Sequence, residues 1–202
     1  DIWGLQFDRF LTEDDFNADG SLKAGLPDQT KVFPAGYQFA PGDVLYKDLD
    51  NNGEIVKQTN TNDKGDLSVI GNALPRLQFG LNLDAAWKGF DISMFFQGVA
   101  KRKLWAAGNQ VLPGFTTGEP FYKGAEDYWT PENTDAFYPR PMDYKQSASG
   151  NYSVNDRYLL NMAYLRLKTF TVGYSLPKVW LSKFKVQGLR VYFTGENLFT
   201  ID

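Results

Sequence analysis

Between Arg76 and Val99 the chain alternates. Leu77, Phe79, Leu81, Leu83, Ala85 and Trp87 are apolar, and Arg76, Gln78, Gly80, Asn82, Asp84 and Ala86 between them are polar or small. Period two is the mark of a strand with one apolar and one wet face. Lys88-Gly89 supplies a tight turn, after which Phe90, Ile92, Met94 and Phe96 alternate with Asp91, Ser93, Phe95 and Gln97. The pattern predicts an antiparallel hairpin. Each arm runs to about ten residues, which suits a tilted strand crossing a bilayer, whereas soluble strands center on about five or six. A soluble sheet or sandwich is the competing expectation.

Two further alternating stretches follow, at 163–176 and 189–199. In the first, the apolar phase slips between Leu167 and Phe170, which predicts a bulge or a change of face. In the second, Leu189, Val191 and Phe193 alternate with Arg190, Tyr192, Thr194 and Glu196. Strands are expected at 76–87, 89–99, 164–175 and 188–199. The connections at 88–89 and 177–188 are short, and those at 11–75 and 100–162 are long. That asymmetry is typical of outer-membrane barrels. Arg166, Lys168 and Arg190 are expected on the wet face. Elsewhere, 2–10 reads as a short strand, Thr12 to Asp15 has capping-box spacing, and 17–41 is Gly-, Pro- and Asp-dotted loop. A short helix is expected within 123–129.

Composition narrows the field. The chain has 202 residues with 16 Phe, 11 Tyr and 5 Trp, more aromatics than an ordinary core requires. Interfacial aromatic girdles or a sugar-binding surface would use them. The net charge is −3 with no basic patch, which sets nucleic acid aside. The absence of His removes imidazole catalysis and His-based zinc sites, and the absence of Cys suits an oxidising compartment. No apolar run reaches the roughly 18 residues of a membrane helix. The chain opens at Asp1 without a signal peptide and ends at Asp202 as a strand finishes. It reads as a piece of something longer. A glycosidase would need two carboxylates about 5–10 Å apart, but with 24 acidic residues some such pair is inevitable and carries no signal.

One loop has metal-ligand spacing. Asp48, Asp50 and Asn52 occupy positions 1, 3 and 5 of a calcium loop, Gly53 position 6, Glu54 offers its carbonyl at 7, and Ile55 is the apolar residue at 8. Position 12 is Thr59 rather than a carboxylate, so Asp66 or Asp63 would have to close the site. An Asx-rich turn without metal is the alternative. In the long connection, Trp105, Tyr122, Tyr128 and Trp129 are candidates for substrate or partner contact, or for loop packing.

Four stretches carry a resemblance to a known family. They are PGDVLYKDLDNNGEI (41–55), VIGNALPRLQFGLNLDAAWKGFDISMFFQG (69–98), YWTPENTDAFYPRP (128–141) and AYLRLKTFTVGYSLP followed by LRVYFTGENLF (163–199). In order and spacing they resemble the SusC/RagA family of TonB-dependent outer-membrane transporters of Bacteroidetes. The resemblance implies an all-β fold, the C-terminal strands of a 22-stranded transmembrane barrel with long extracellular loops. Residues 1–75 would be extracellular loop containing the calcium-like loop 48–66. Residues 76–202 would be barrel strands with an extracellular loop at 100–162. The implied function is import of oligosaccharides or peptides, without enzymatic chemistry. The implied partners are a SusD-like surface lipoprotein, TonB acting through an N-terminal region, and outer-membrane lipid. It places the family's closing carboxylate at Asp66, after an insertion of about seven residues relative to the twelve-residue loop, with a structural Ca²⁺ as the expected ion. The alternative is a secreted, calcium-stabilised β-rich carbohydrate-binding module.

Overall fold

The computed structural model describes residues 1–58, 60, 62–114, 121–142 and 150–202. They form two compact units: 74–103 with 161–202, and 1–73 with 104–160. The two long connections, expected as separate loop regions, therefore build one body together.

Ten strands occur in the described chain: β1 (Ile2–Gly4), β2 (Phe7–Phe10), β3 (Val44–Tyr46), β4 (Ser68–Gly71), β5 (Leu77–Trp87), β6 (Phe90–Ala100), β7 (Lys103–Trp105), β8 (Leu159–Asn161), β9 (Tyr164–Ser175) and β10 (Arg190–Ile201). One short helix, α1 (Lys178–Leu181), follows β9. No helix among the described residues is long and apolar enough to cross a membrane, which says nothing about strands.

The four long strands form one antiparallel sheet in the order β5-β6-β9-β10. Register gives the sheet one apolar face and one mixed face, on which Phe95, Val99, Tyr164 and Tyr192 stand among polar residues. Leu81 stands opposite Phe96, which stands opposite Leu167, which stands opposite Phe199. Leu83, Met94 and Phe170 form the next row, and Ala85, Ile92, Val172 and Phe193 the one after. Residues directly opposite share a face, so this face is apolar from edge to edge. Trp87, Phe90 and Tyr174 close it at the short-turn end, with the Phe90 and Tyr174 rings 4.4 Å apart. The other face carries Gln78, Asn82, Asp84, Asp91, Gln97, Arg166, Thr171, Thr194 and Glu196.

The phase slip in β9 is a bulge, not a change of face. Phe95 and Phe96 pair with Thr169 and Leu167, so Lys168 is the extra residue. It keeps Leu165 and Leu167 on the same side as Phe170, Val172 and Tyr174. Across β10 the register also shifts, between Glu196 and Phe199, and Asn197 there has φ +51°.

Two glycines let side chains lie flat on the sheet. A Cβ at Gly98 would sit 2.2 Å from the Phe79 ring, which covers that gap on the apolar face. A Cβ at Gly173 would sit 2.5 Å from the Arg190 guanidinium. Arg190 thus passes over β9 and donates from Nε to Asp91 on β6 at 3.0 Å. The bond ties three strands together on the wet face.

The other unit has little regular structure. β1 pairs with β4 and β2 with β3 around a core of Leu5, Phe10, Val32, Phe33, Val44, Tyr46, Ile55, Trp129 and Ala136. β7 pairs with β8. The backbone of β3 is satisfied on one side by β2 and on the other by buried side chains. Gln29 donates to the Val44 carbonyl at 2.8 Å, and the Asn151 side-chain oxygen accepts from the Val44 N–H at 2.7 Å. Buried backbone groups must find such partners. Asp43 is a wholly buried node. It accepts from Arg140 Nε at 2.8 Å, the Tyr37 hydroxyl at 2.9 Å, Asn151 Nδ2 at 3.0 Å and the Ala40 N–H at 2.9 Å. Thr12 opens a short 3-10 turn, Glu13–Asp15, and its N–H donates to the Asp15 carboxylate at 2.8 Å. The Arg9 guanidinium on that same carboxylate holds its pKa at about 2. The helix expected within 123–129 is one 3-10 turn, Lys123–Ala125.

Candidate functional site

The loop after β3 coils as its Asx spacing requires. Asp48 Oδ1 accepts from the Asn51 N–H at 2.7 Å and Oδ2 from the Gly53 N–H at 2.7 Å. These bonds, Gly53's first, hold the Asp48 carboxyl below its ordinary range. Asn51 and Gly53 take positive φ, 59° and 87°, to make the curl. Asn52 donates to Asp50 at 3.0 Å, and its side-chain oxygen accepts from the Glu54 N–H at 2.8 Å. Ile55 is fully buried and anchors the exit of the loop in the core.

Asp66 returns to this loop across the insertion. It is fully buried, and its two oxygens accept from the Leu49 and Val56 N–H groups, both at 2.8 Å. Single carboxylate oxygens of Asp48, Asp50 and Asp66 all lie within 4.8 Å of one another. Asp63 instead accepts from the Gly65 N–H at 2.9 Å and is not in that group. The Glu54 carboxylate pairs with Lys31. Thr59, at position 12, lies outside the described residues. An all-oxygen donor set of this kind suits a hard cation. No basic side chain among the described residues pairs with the buried Asp66.

The four aromatic candidates separate. Trp129 is 6% exposed and belongs to the core, so it is not a surface contact. Its ring lies against Gly42, where a Cβ would sit 2.5 Å from it. The motif's Pro-Gly-Asp needs glycine there both for φ +90° and for this contact. Trp105 is half-buried and packs on a second cluster of Leu112, Tyr152 and Tyr158. Tyr122 and Tyr128 remain exposed and line one cleft of about 350 Å³ with Phe121, Tyr138, Pro139 and Pro141. Lys123 and Glu126 are also in its lining. Burial raises the Tyr138 phenol pKa above its ordinary value. Sequence reasoning noted prolines in this connection but did not single out Phe121 and Tyr138, although the density of Pro and aromatic residues over 113–141 was a usable signal. It also missed the Asp43 node, two of whose members stand in the motifs PGD and YPRP.

No family model matches the chain. Two curated relatives from Formosa agariphila do. TonB-dependent receptor P3 is 33% identical over 166 residues, covering 79% of this chain, and TonB-dependent receptor P26 is 34% identical over 153 residues, covering 74%. Among solved structures, the RagAB peptide transporter aligns over 99% of this chain with TM-score 0.59 at 18% identity. The RagAB peptide importer in its open-open state aligns over 100% with TM-score 0.55 at 17% identity. The chain belongs to the TonB-dependent receptor family. It spans 14% of the length of both curated relatives and 19% of the RagAB chains. The RagAB likeness bears on the fold alone. It agrees with a chain whose regular structure is nearly all strand and whose four long strands are consecutive antiparallel neighbours.

Proposed function

We propose that this chain supplies outer-membrane barrel wall and an extracellular body to a SusC-like transporter. The transporter imports oligosaccharides or peptides together with a SusD-like lipoprotein, driven by TonB. Transport of this kind makes and breaks no covalent bond. The observation that carries the reading is the two-faced sheet. Leu77, Phe79, Leu81 and Leu83 are 51, 42, 47 and 43% exposed along one strand. An apolar face that wide has to be covered, and lipid covers it in a barrel. A secreted sugar-binding module would leave it in water. The test is an unboiled gel of outer membranes carrying the whole protein. A folded barrel migrates apart from the boiled sample, and a single unshifted band in a soluble fraction would overturn the assignment.

The exposed Tyr122–Tyr128 cleft supports contact with substrate or with the SusD-like lipoprotein on the extracellular side. Tyr122→Ala with Tyr128→Ala is expected to lower uptake of the native substrate about tenfold while leaving the barrel band unchanged. The tenfold figure corresponds to losing roughly one aromatic contact of ~1.5 kcal/mol. Uptake at the wild-type rate would remove the cleft from the transport path.

We further propose that Asp48, Asp50, Asn52, the Glu54 carbonyl and Asp66 hold a structural Ca²⁺. Three carboxylates whose oxygens approach one another repel unless a cation intervenes. The irregular, insertion-bearing loop suits calcium's flexible coordination better than the strict octahedron of magnesium. Chelator is expected to expose residues 41–75 to protease, and calcium to restore protection. Asp66→Asn is expected to cleave rapidly with or without calcium. A cleavage rate indifferent to chelator would leave the stretch as an Asx turn.

A further inference from the structure

The turn between β9 and β10 carries a surface that the transport reading leaves unused. Its base is closed by the Leu176 N–H donating to the Leu189 carbonyl at 2.9 Å. Within it, α1 continues into a 3-10 turn, Ser182–Phe184, which ends at Lys185 in the left-handed region. Leu181 is buried, and Val179, Trp180 and Phe184 stand 75, 60 and 77% exposed. Lys178, Lys183 and Lys185 lie among them. From Leu176 to Arg190 there is no acidic residue, in a chain whose net charge is −3. Arg190 is engaged with Asp91, but the three lysines make no ion pair among the described residues. Lys88, over the Trp87 ring at 4.8 Å, adds a fourth charge in the neighbouring turn, whose Gly89 carbonyl accepts from the Ser175 N–H at 2.8 Å.

We propose that residues 177–188 form a membrane-surface anchor that selects anionic phospholipid headgroups on the short-turn side of the bilayer. This rests on the barrel reading. The apolar residues of the turn continue the apolar face of the sheet through Leu189 and Val191, so the same hydrocarbon that covers the strands reaches Val179, Trp180 and Phe184. Lysine stems follow the apolar surface while their ammonium groups stay at headgroup level. Tryptophan settles at that interface. A short cationic, aromatic segment without acidic neighbours matches a negatively charged lipid surface in sign as well as in polarity.

The test uses the whole transporter in nanodiscs of phosphatidylcholine with or without phosphatidylglycerol, one lipid at a time brominated in its acyl chains. Trp180 quenching is obtained by subtracting the Trp180→Phe variant. Brominated phosphatidylglycerol is expected to quench Trp180 more strongly than brominated phosphatidylcholine at equal content. The triple variant Lys178→Gln, Lys183→Gln, Lys185→Gln should lose that preference by about tenfold or more, since each lysine near an anionic surface is worth roughly fivefold in binding. Its heat-shifted barrel band should persist. Equal quenching by the two lipids in the native protein would overturn headgroup selection. An unquenched Trp180 in an intact barrel would mean that the surface docks a protein instead. Loss of the barrel band in the native protein would overturn the barrel reading itself.

Discussion

Leu81→Arg is expected to abolish most assembled barrel, whereas Asn82→Arg, one residue away, is expected to leave it nearly intact. Leu81 lies near the middle of β5 on the apolar face, opposite Phe96. In a bilayer, an arginine there has no partner and no water, at a cost of about 2–4 kcal/mol near the midplane. Asn82 lies on the wet face opposite Phe95. That face already carries Arg166, which donates to the Thr200 hydroxyl at 2.9 Å. The measurement is the fraction of heat-shifted protein in outer membranes at matched expression. Equal loss in both variants would mean that the two faces have been assigned wrongly. Equal tolerance would mean that neither faces lipid.

The sheet was legible because period two survives in the sequence wherever one face meets a single environment over a whole strand. Even the break between Leu167 and Phe170 was visible, and the bulge at Lys168 resolves it without turning the strand over. The body built from 1–73 and 104–160 was not legible. Its core joins Leu5, Val44, Trp129 and Ala136, residues far apart in the chain that follow no period. Its polar atoms are satisfied by single side chains such as Gln29 and Asn151 rather than by ladders. Local spacing is enough for the Asp48–Asn52 curl, because those bonds span five residues or fewer. It cannot show that Asp66 rather than Asp63 comes back, since an insertion separates the two halves. That choice came from the family motif; in the fold Asp66 lies beside Asp48 and Asp50. For Trp129 the sequence left contact and loop packing both open, because an aromatic beside a proline looks the same whether it pins a loop or faces a ligand; its place in the core selects packing.

Asp43→Ala is expected to unfold the body built from 1–73 and 104–160 while sparing the four-stranded sheet. Asp43 is completely buried, and the Arg140 side chain is 24% exposed. Removing the carboxylate strips partners from Arg140, Tyr37, Asn151 and the Ala40 N–H at once. Losing one member of a buried ion pair costs about 3–5 kcal/mol, mostly through the charge left behind. Arg140→Ala should cost less, because Tyr37, Asn151 and Ala40 still satisfy the remaining carboxylate. A double Asp43→Leu, Arg140→Met variant should recover part of the loss, since no unpaired charge remains. The measurement is protease sensitivity of 1–73 and 104–160 beside the heat-shifted band on the same samples. In Asp43→Ala the loops should be cut and the band retained. Uncut loops would mean that the node is dispensable. Loss of the band with cut loops would mean that assembly of the strands depends on this body.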